Sequence, residues 1–225
     1  MSRLRLRATA ALVAATAAIA GATAQAAPQS APAYKPIGLS GLTVTQGTIT
    51  PAGTALQTQD PGMRATHNDG GVHRRSARLW FQYLGESTTT VPLGSGAIRR
   101  QIGLKLRAAD PCNLVYVMWH AYPTSQIEVS VKRNPGLTTS AQCGNAGYTE
   151  IAEIPLTTGG IDDHSAHRLE VRTRRRTSGD LAVSIYTDRS LLRRLTIPAA
   201  LAAGLDGPIG VRSDNGNYLF RLSAK

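Results

Sequence analysis

Past residue 26 the chain has no apolar run approaching the length of a membrane-spanning helix. It has no amphipathic stretch longer than a turn or two of helix, which excludes bundles and alternating α/β architectures. No glycine-rich nucleotide loop, cofactor fingerprint or serine–histidine–acid constellation is legible, so no motif assigns a catalytic class. There is no C-x-x-C spacing to support a thiolate metal site. Acidic side chains are scarce: 14 Asp+Glu face 25 Lys+Arg, for a net charge of +11. Such an excess favours acidic partners: anionic polysaccharide, cell-wall polymer or nucleic acid.

What is present begins with a targeting segment. Arg3, Arg5 and Arg7 precede the small-residue run Ala8 to Ala20, and Ala24-Gln25-Ala26 fits a cleavage site, so residues 1–26 read as a signal peptide and the protein as secreted (extracellular). The run is too short and alanine-rich to span a membrane stably. Without the three leader arginines the balance is 22 basic against 14 acidic residues, net +8. Residues 27–40, rich in Pro, Ala, Gln and Ser, form a flexible lead-in, and 41–225 a single domain. In an exported chain Cys112 and Cys143 pair as a disulfide, closing a loop of about 30 residues worth about 3–4 kcal/mol.

Ile102 to Lys132 organises the rest. Ile102, Leu104 and Leu106 alternate with Gly103, Lys105 and Arg107; Asp110-Pro111 breaks the run. Leu114 to Trp119 is nearly all apolar, and Ile127, Val129 and Val131 alternate with Glu128, Ser130 and Lys132. These are three strands of an antiparallel meander. Further short alternating segments follow at His167 to Thr173, Leu181 to Thr187 and Leu191 to Ile197, and an Asn215-Gly216 hairpin turn is expected within Gly207 to Lys225. About a dozen short strands without a long helix predict an all-β fold, a two-sheet antiparallel β-sandwich.

The run His167-Arg-Leu-Glu-Val, then Leu181 to Asp188, then Gly207-Pro-Ile-Gly-Val-Arg-Ser-Asp214-Asn215 and a final aromatic strand resembles the closing strands of concanavalin A-like lectin/glucanase domains, including laminin-G-like modules and the domain of 3-keto-disaccharide hydrolases. It covers about 60 residues and departs from the family where Asp188-Arg189 replaces Asp-Gly. The resemblance implies a jelly roll whose concave sheet face binds glycan or carries catalytic groups.

Strand parity nominates that face. With Val115, Val117 and Trp119 inward, Tyr116, Met118 and His120 point outward with Gln126, Glu128 and Ser130, joined by Lys105 and Arg107; a one-residue slip would reverse the set. Ligand-binding candidates are therefore Lys105, Arg107, Tyr116, His120, Gln126 and Glu128. The first expectation is a non-catalytic module for extracellular polysaccharide or cell-wall polymer. The alternative is a polysaccharide-active enzyme, a lyase ahead of a hydrolase, using Tyr116, His120 and Arg107. For the lyase, Gln101-Ile102-Gly103 stands where jelly-roll alginate lyases have Gln-Ile-His; for the hydrolase, the E-x-D-x-E string is missing and Glu150 and Glu153, three apart, are expected on opposite faces. No metal site is assigned: His67, Asp69 and His73 read as a solvated loop. Calcium remains an option at Asp162-Asp163 with His164, or at Asp214-Asn215 with Asn217. Arg172, Arg174 and Arg176 share parity as an exposed stripe suited to carboxylate or sulfate. Nucleic acid is not expected, because the aromatics occupy core-like strand positions and not gaps between the arginines.

Overall fold

The computed structural model describes residues 33–68, 75–156, 161 and 164–225. The signal-peptide reading, Asp69, His73 and Asp162-Asp163 lie outside them.

The strands are β1 (Lys35–Ile37), β2 (Leu42–Gln46), β3 (Thr50–Ala52), β4 (Ala55–Thr58), β5 (Gly62–His67), β6 (Ser76–Glu86), β7 (Arg100–Asp110), β8 (Asn113–Tyr122), β9 (Gln126–Lys132), β10 (Tyr148–Pro155), β11 (Ala166–Arg175), β12 (Leu181–Thr187), β13 (Ser190–Ile197), β14 (Gly210–Asp214) and β15 (Gly216–Ala224), with short helices α1 (Ser140–Cys143) and α2 (Ala199–Ala202). They build two antiparallel sheets. One runs β10-β9-β8-β7-β14-β5-β2; the other runs β13-β12-β11-β6-β15-β4-β3, with β1 paired to β15. This is a two-sheet antiparallel jelly-roll sandwich, the fold that the sequence resemblance implies.

The meander β7-β8-β9 forms in the register that parity requires, with Lys105 opposite Tyr116 and Tyr116 opposite Ser130. Its inward set (Ile102, Leu104, Val117, Trp119, Ile127, Val129) is at most 1% exposed. That set packs with Leu79, Phe81, Val171, Ile185 and Phe220 of the other sheet in one core, where Phe81 meets Trp119 edge-on at 5.4 Å. Each such side chain contributes about 1.5–3 kcal/mol of burial. The sandwich therefore rests on the apolar half of each alternation, leaving the polar half of β7–β9 facing away from the core.

The expected hairpin at Asn215-Gly216 does not form. β14 inserts between β5 and β7, whereas β15 lies between β4 and β6 of the opposite sheet. Asn215, at φ +53°, is the corner where the chain changes sheets. Asparagine tolerates the left-handed region in either setting, so the dipeptide alone does not separate a hairpin from a corner. The Cys112–Cys143 bridge does form, joining the turn before β8 to the end of α1 with Cα atoms 5.8 Å apart.

Candidate functional site

The outward side chains of the seven-stranded sheet form a grid. One row runs Lys105, Tyr116, Ser130, Glu150 across β7, β8, β9 and β10; the next runs Arg64, Arg212, Gly103, Met118, Glu128; a third runs Asp214, Gln101, His120, Gln126. Gly103 leaves a gap between Arg212 and Met118, and a Cβ there would collide with Met118 and the β8 backbone.

Two segments wall this face. The β6–β7 connection brings in Leu93, Gly94 and Ser95, and the chain after α1 brings in Asn145, which lies against Gly94 so closely that a Cβ has no room. Asn215 fastens the first wall: its side chain accepts from Val91 N at 2.8 Å and donates to Val91 O at 2.9 Å and Arg99 O at 3.1 Å. The result is a cleft of about 380 Å³ over Met118 and Glu128, with an adjoining hollow of about 250 Å³ over Lys105. Tyr116, Tyr148, Arg212 and Asn145 border both. The two tyrosine rings stack, with centroids 6.1 Å apart and planes at 20°. The Arg212 guanidinium lies 4.9 Å above Tyr116 and donates to the Tyr148 hydroxyl at 3.3 Å.

Asp214 anchors the basic side. Its carboxylate accepts from Arg64 at 2.7 Å, Gln101 at 2.7 Å and Arg212 Nε at 2.8 Å. Burial alone would raise its pKa, but the two guanidiniums and the amide outweigh that and hold it below the usual carboxylate range. Burial, and then Arg64, Arg212 and Lys132, press Lys105 down to about 8. Burial lifts the Tyr116 phenol to about 12 despite Arg212. Burial, followed by the Arg99 charge, lowers His120 to about 4, so its imidazole is neutral at pH 7.

Lys105, Tyr116, His120, Gln126 and Glu128 are thus on one face, but Arg107 is not. The ladder breaks between Leu106 and Asp110, Arg107 adopts φ +52°, and its guanidinium bonds Asp206 at 2.8 Å and Thr173 of the other sheet at 3.4 Å. A bulge inverts the parity that alternation assumes. A second bulge, between Glu150 and Ala152, brings Glu150 opposite Ser130 and Glu153 opposite Glu128, so these two carboxylates share a face after all. His120 is 1% exposed, with Gln126 and Glu128 each 3.5 Å from its ring nitrogens; Glu128 itself pairs with Arg99. Sequence reading missed Arg64, Gln101, Lys132, Tyr148, Asn145 and Arg212. Gln101 and Lys132 share parity with Lys105 and Glu128 within the meander and were reachable; Arg64, Tyr148 and Arg212 arrive from strands whose neighbours the sequence does not specify, and Asn145 from a loop. Asp214, read as a turn residue or calcium ligand, has both oxygens engaged by nitrogen donors. Among the described residues no group of three or more His, Cys, Asp or Glu is placed to hold a metal ion.

Lys105 is expected to destabilise the unliganded fold. A lysine whose folded pKa is lowered binds its proton more weakly folded than unfolded, so the penalty is full below about pH 8 and fades as pH rises to the ordinary 10.5. Lys105→Met should therefore raise stability by about 1–3 kcal/mol at pH 7, a gain that disappears near pH 11; urea midpoints across that range check it.

Two features of the other sheet differ from the sequence reading. Trp80 and Tyr186 sit among arginines on its outer face, with Arg221 and Arg172 each 4.5 Å from the ring centroid. β11 ends at Arg175, so of the anticipated stripe only Arg172 and Arg174 lie on the strand. A serine–histidine–acid chain also exists: Ser165 Oγ is 2.9 Å from His167 Nε2, and His167 Nδ1 is 3.0 Å from Asp188. His167 packs against Trp119 and Phe81 inside the sandwich, and Asp188 also accepts from Arg168 N, so the chain ties the β12–β13 turn to the start of β11.

No protein-family model and no curated protein matches the chain. Among solved structures, the fold is similar to the metal-free carbohydrate recognition domain of Emp46p (TM-score 0.50, 7% identity, 82% of this chain and 88% of that one). A lectin from Bauhinia forficata in complex with GalNAc gives TM-score 0.48 at 13% identity over 86% and 98% of the two chains. A legume lectin-like domain from Entamoeba histolytica gives 0.47 at 13% over 83% and 89%. At these identities the similarity shows the fold alone.

Proposed function

We propose that the protein is a secreted, non-catalytic carbohydrate-binding domain that holds an extracellular anionic polysaccharide in the cleft of the seven-stranded sheet. Tyr148, exposed and stacked on the buried Tyr116, carries this reading: an aromatic ring beside convergent guanidinium, amide and hydroxyl groups suits a sugar ring and its substituents. The fold shared with a carbohydrate recognition domain supports it. The disulfide supports export, because such bridges persist in oxidising compartments. A binding role is also supported by the three lyase candidates: the Tyr116 phenol raised to about 12 is hard to ionise, His120 is shut beneath the surface, and Arg107 bonds Asp206 and Thr173 away from the face. The bulge that puts Glu150 and Glu153 on the same face as Glu128 favours hydrolysis as the second reading.

The test is incubation with neutral, uronate-containing and sulfated polysaccharides, following retention and chain shortening together. Retention without shortening is expected, weakened about three- to tenfold by Tyr148→Ala. An unsaturated product lost in His120→Ala would make the protein a lyase, and shortening lost in Glu128→Gln a hydrolase.

A further inference from the structure

The two halves of the site differ in charge. The hollow is lined by Arg64 from β5, Lys105 from β7, Lys132 from β9 and Arg212 from β14, with the Tyr116 and Tyr148 hydroxyls from β8 and β10. The carboxylate beside it, Asp214, is already shared between Arg64 and Arg212. Lys105 is 3% exposed; its ammonium donates to Thr66 Oγ1 at 2.9 Å, and the charges acting on it are Arg64, Arg212 and Lys132, all of its own sign. Lys132 donates to a carbonyl, Gly144 O, at 2.6 Å. Among the described residues, neither ammonium has a carboxylate partner. On the other side of the tyrosine pair the charges balance: the cleft is lined by Arg99 and Arg212 against Glu128 and Glu150, with Arg99 paired to Glu128.

A buried ammonium surrounded by cations is a poor structural element, because desolvation and repulsion both oppose it. It is a good receptor for a single oxyanion, which would bring the missing charge and accept hydrogen bonds from several nitrogens at once. The cleft, whose cations are already matched by carboxylates, offers a second anionic group one sugar away no comparable gain. We infer that the hollow is a pocket for one carboxylate or sulfate ester of the glycan, that the cleft takes the adjacent uncharged sugar, and that the protein therefore selects polymers in which acidic and uncharged residues alternate. This rests on the glycan-binding reading and specifies its substrate class.

The test compares four polymers at 0.15 M salt, where diffuse attraction is largely screened (Debye length about 8 Å): hyaluronan (uronate alternating with an uncharged N-acetylhexosamine), κ-carrageenan (sulfated galactose alternating with an uncharged anhydrogalactose), polygalacturonate (an acid on every sugar) and a neutral β-glucan. One or both alternating polymers should bind about tenfold or more tighter than polygalacturonate and the glucan, and the better of the two identifies carboxylate or sulfate as the preferred anion. Lys105→Met should weaken that binding about tenfold. Affinity of the parent should fall between pH 7 and pH 9.5 as Lys105 loses its proton, and the variant should fall less, its remaining dependence coming from Lys132, which burial also lowers. Polygalacturonate binding as tightly as hyaluronan, or an unchanged Lys105→Met, overturns the pocket while leaving glycan binding intact. A parallel arm measures protection of Lys105 from amine acylation by free glucuronate and by sulfate. Protection there without retention of any polymer would keep the anion pocket and reject the glycan reading; no protection and no retention rejects both.

Discussion

Asp214→Asn should destabilise the protein by about 3–5 kcal/mol, read as a fall in the urea midpoint without a change in slope. The carboxylate is 1% exposed and lies between Arg64 and Arg212, with Gln101 completing its hydrogen bonds. The amide keeps the shape but removes the charge, leaving the deeply set Arg212 without its counter-ion. Removing both charges, with Asp214→Leu and Arg212→Met together, should cost less than the single change, because the penalty is the stranded cation and not the loss of a favourable pair. A single variant within 1 kcal/mol of the parent would mean that water reaches Arg212 freely. The pH dependence has a definite sign. Asp214's folded pKa lies below its unfolded value, so its stabilisation is complete above the ordinary carboxylate range near 3.9 and is lost as pH falls through the folded pKa. The parent should therefore lose stability steeply below about pH 4, and Asp214→Asn less steeply.

Opening the Cys112–Cys143 bridge is the other large expected effect. The cysteines are 31 residues apart in sequence, and releasing that loop in the unfolded chain corresponds to about 3–4 kcal/mol, read as the difference in denaturation midpoint between the parent and Cys112→Ser/Cys143→Ser. The loss extends to the site. Cys143 ends α1, and the next residues carry Asn145 into the cleft wall and Gly144 O to Lys132. The double variant is therefore expected to bind polysaccharide more weakly under conditions where circular dichroism still shows a folded sandwich. Equal affinity in parent and variant would show that the wall holds its shape without the bridge.

What the sequence made legible was alternation, and what it hid was every departure from alternation. From Ile102 to Leu106, Leu114 to His120 and Gln126 to Val131 successive side chains alternate between the two faces, so Tyr116, His120 and Glu128 could be placed together before any coordinates. Arg107 and Glu153 were misplaced because a bulge adds one residue without a compositional mark that distinguishes it from a continuing strand. Asn215 was misread because a left-handed corner and a hairpin turn ask for the same residue. Arg64 and Arg212 could not be nominated: their proximity to Lys105 follows from β14 entering between β5 and β7, a pairing between segments well over 100 residues apart. The enclosure of the face was hidden for a similar reason, since its walls are irregular loops held by Asn215 and by the disulfide. Ser165 and Asp188 meet at His167 only through the β11–β12 pairing.

The corner at Asn215 also orders events in time. β14 is the central link between β5 and β7, and β15 the central link between β4 and β6, so neither layer is continuous until the C-terminal segment is in place. A chain emerging from synthesis would hold unjoined half-sheets with open edges and, lacking Arg212, Asp214 and the clamp on Val91, no binding cleft. On the glycan-binding reading, a copy without β14 and β15 lacks the cleft and would not compete for the ligand.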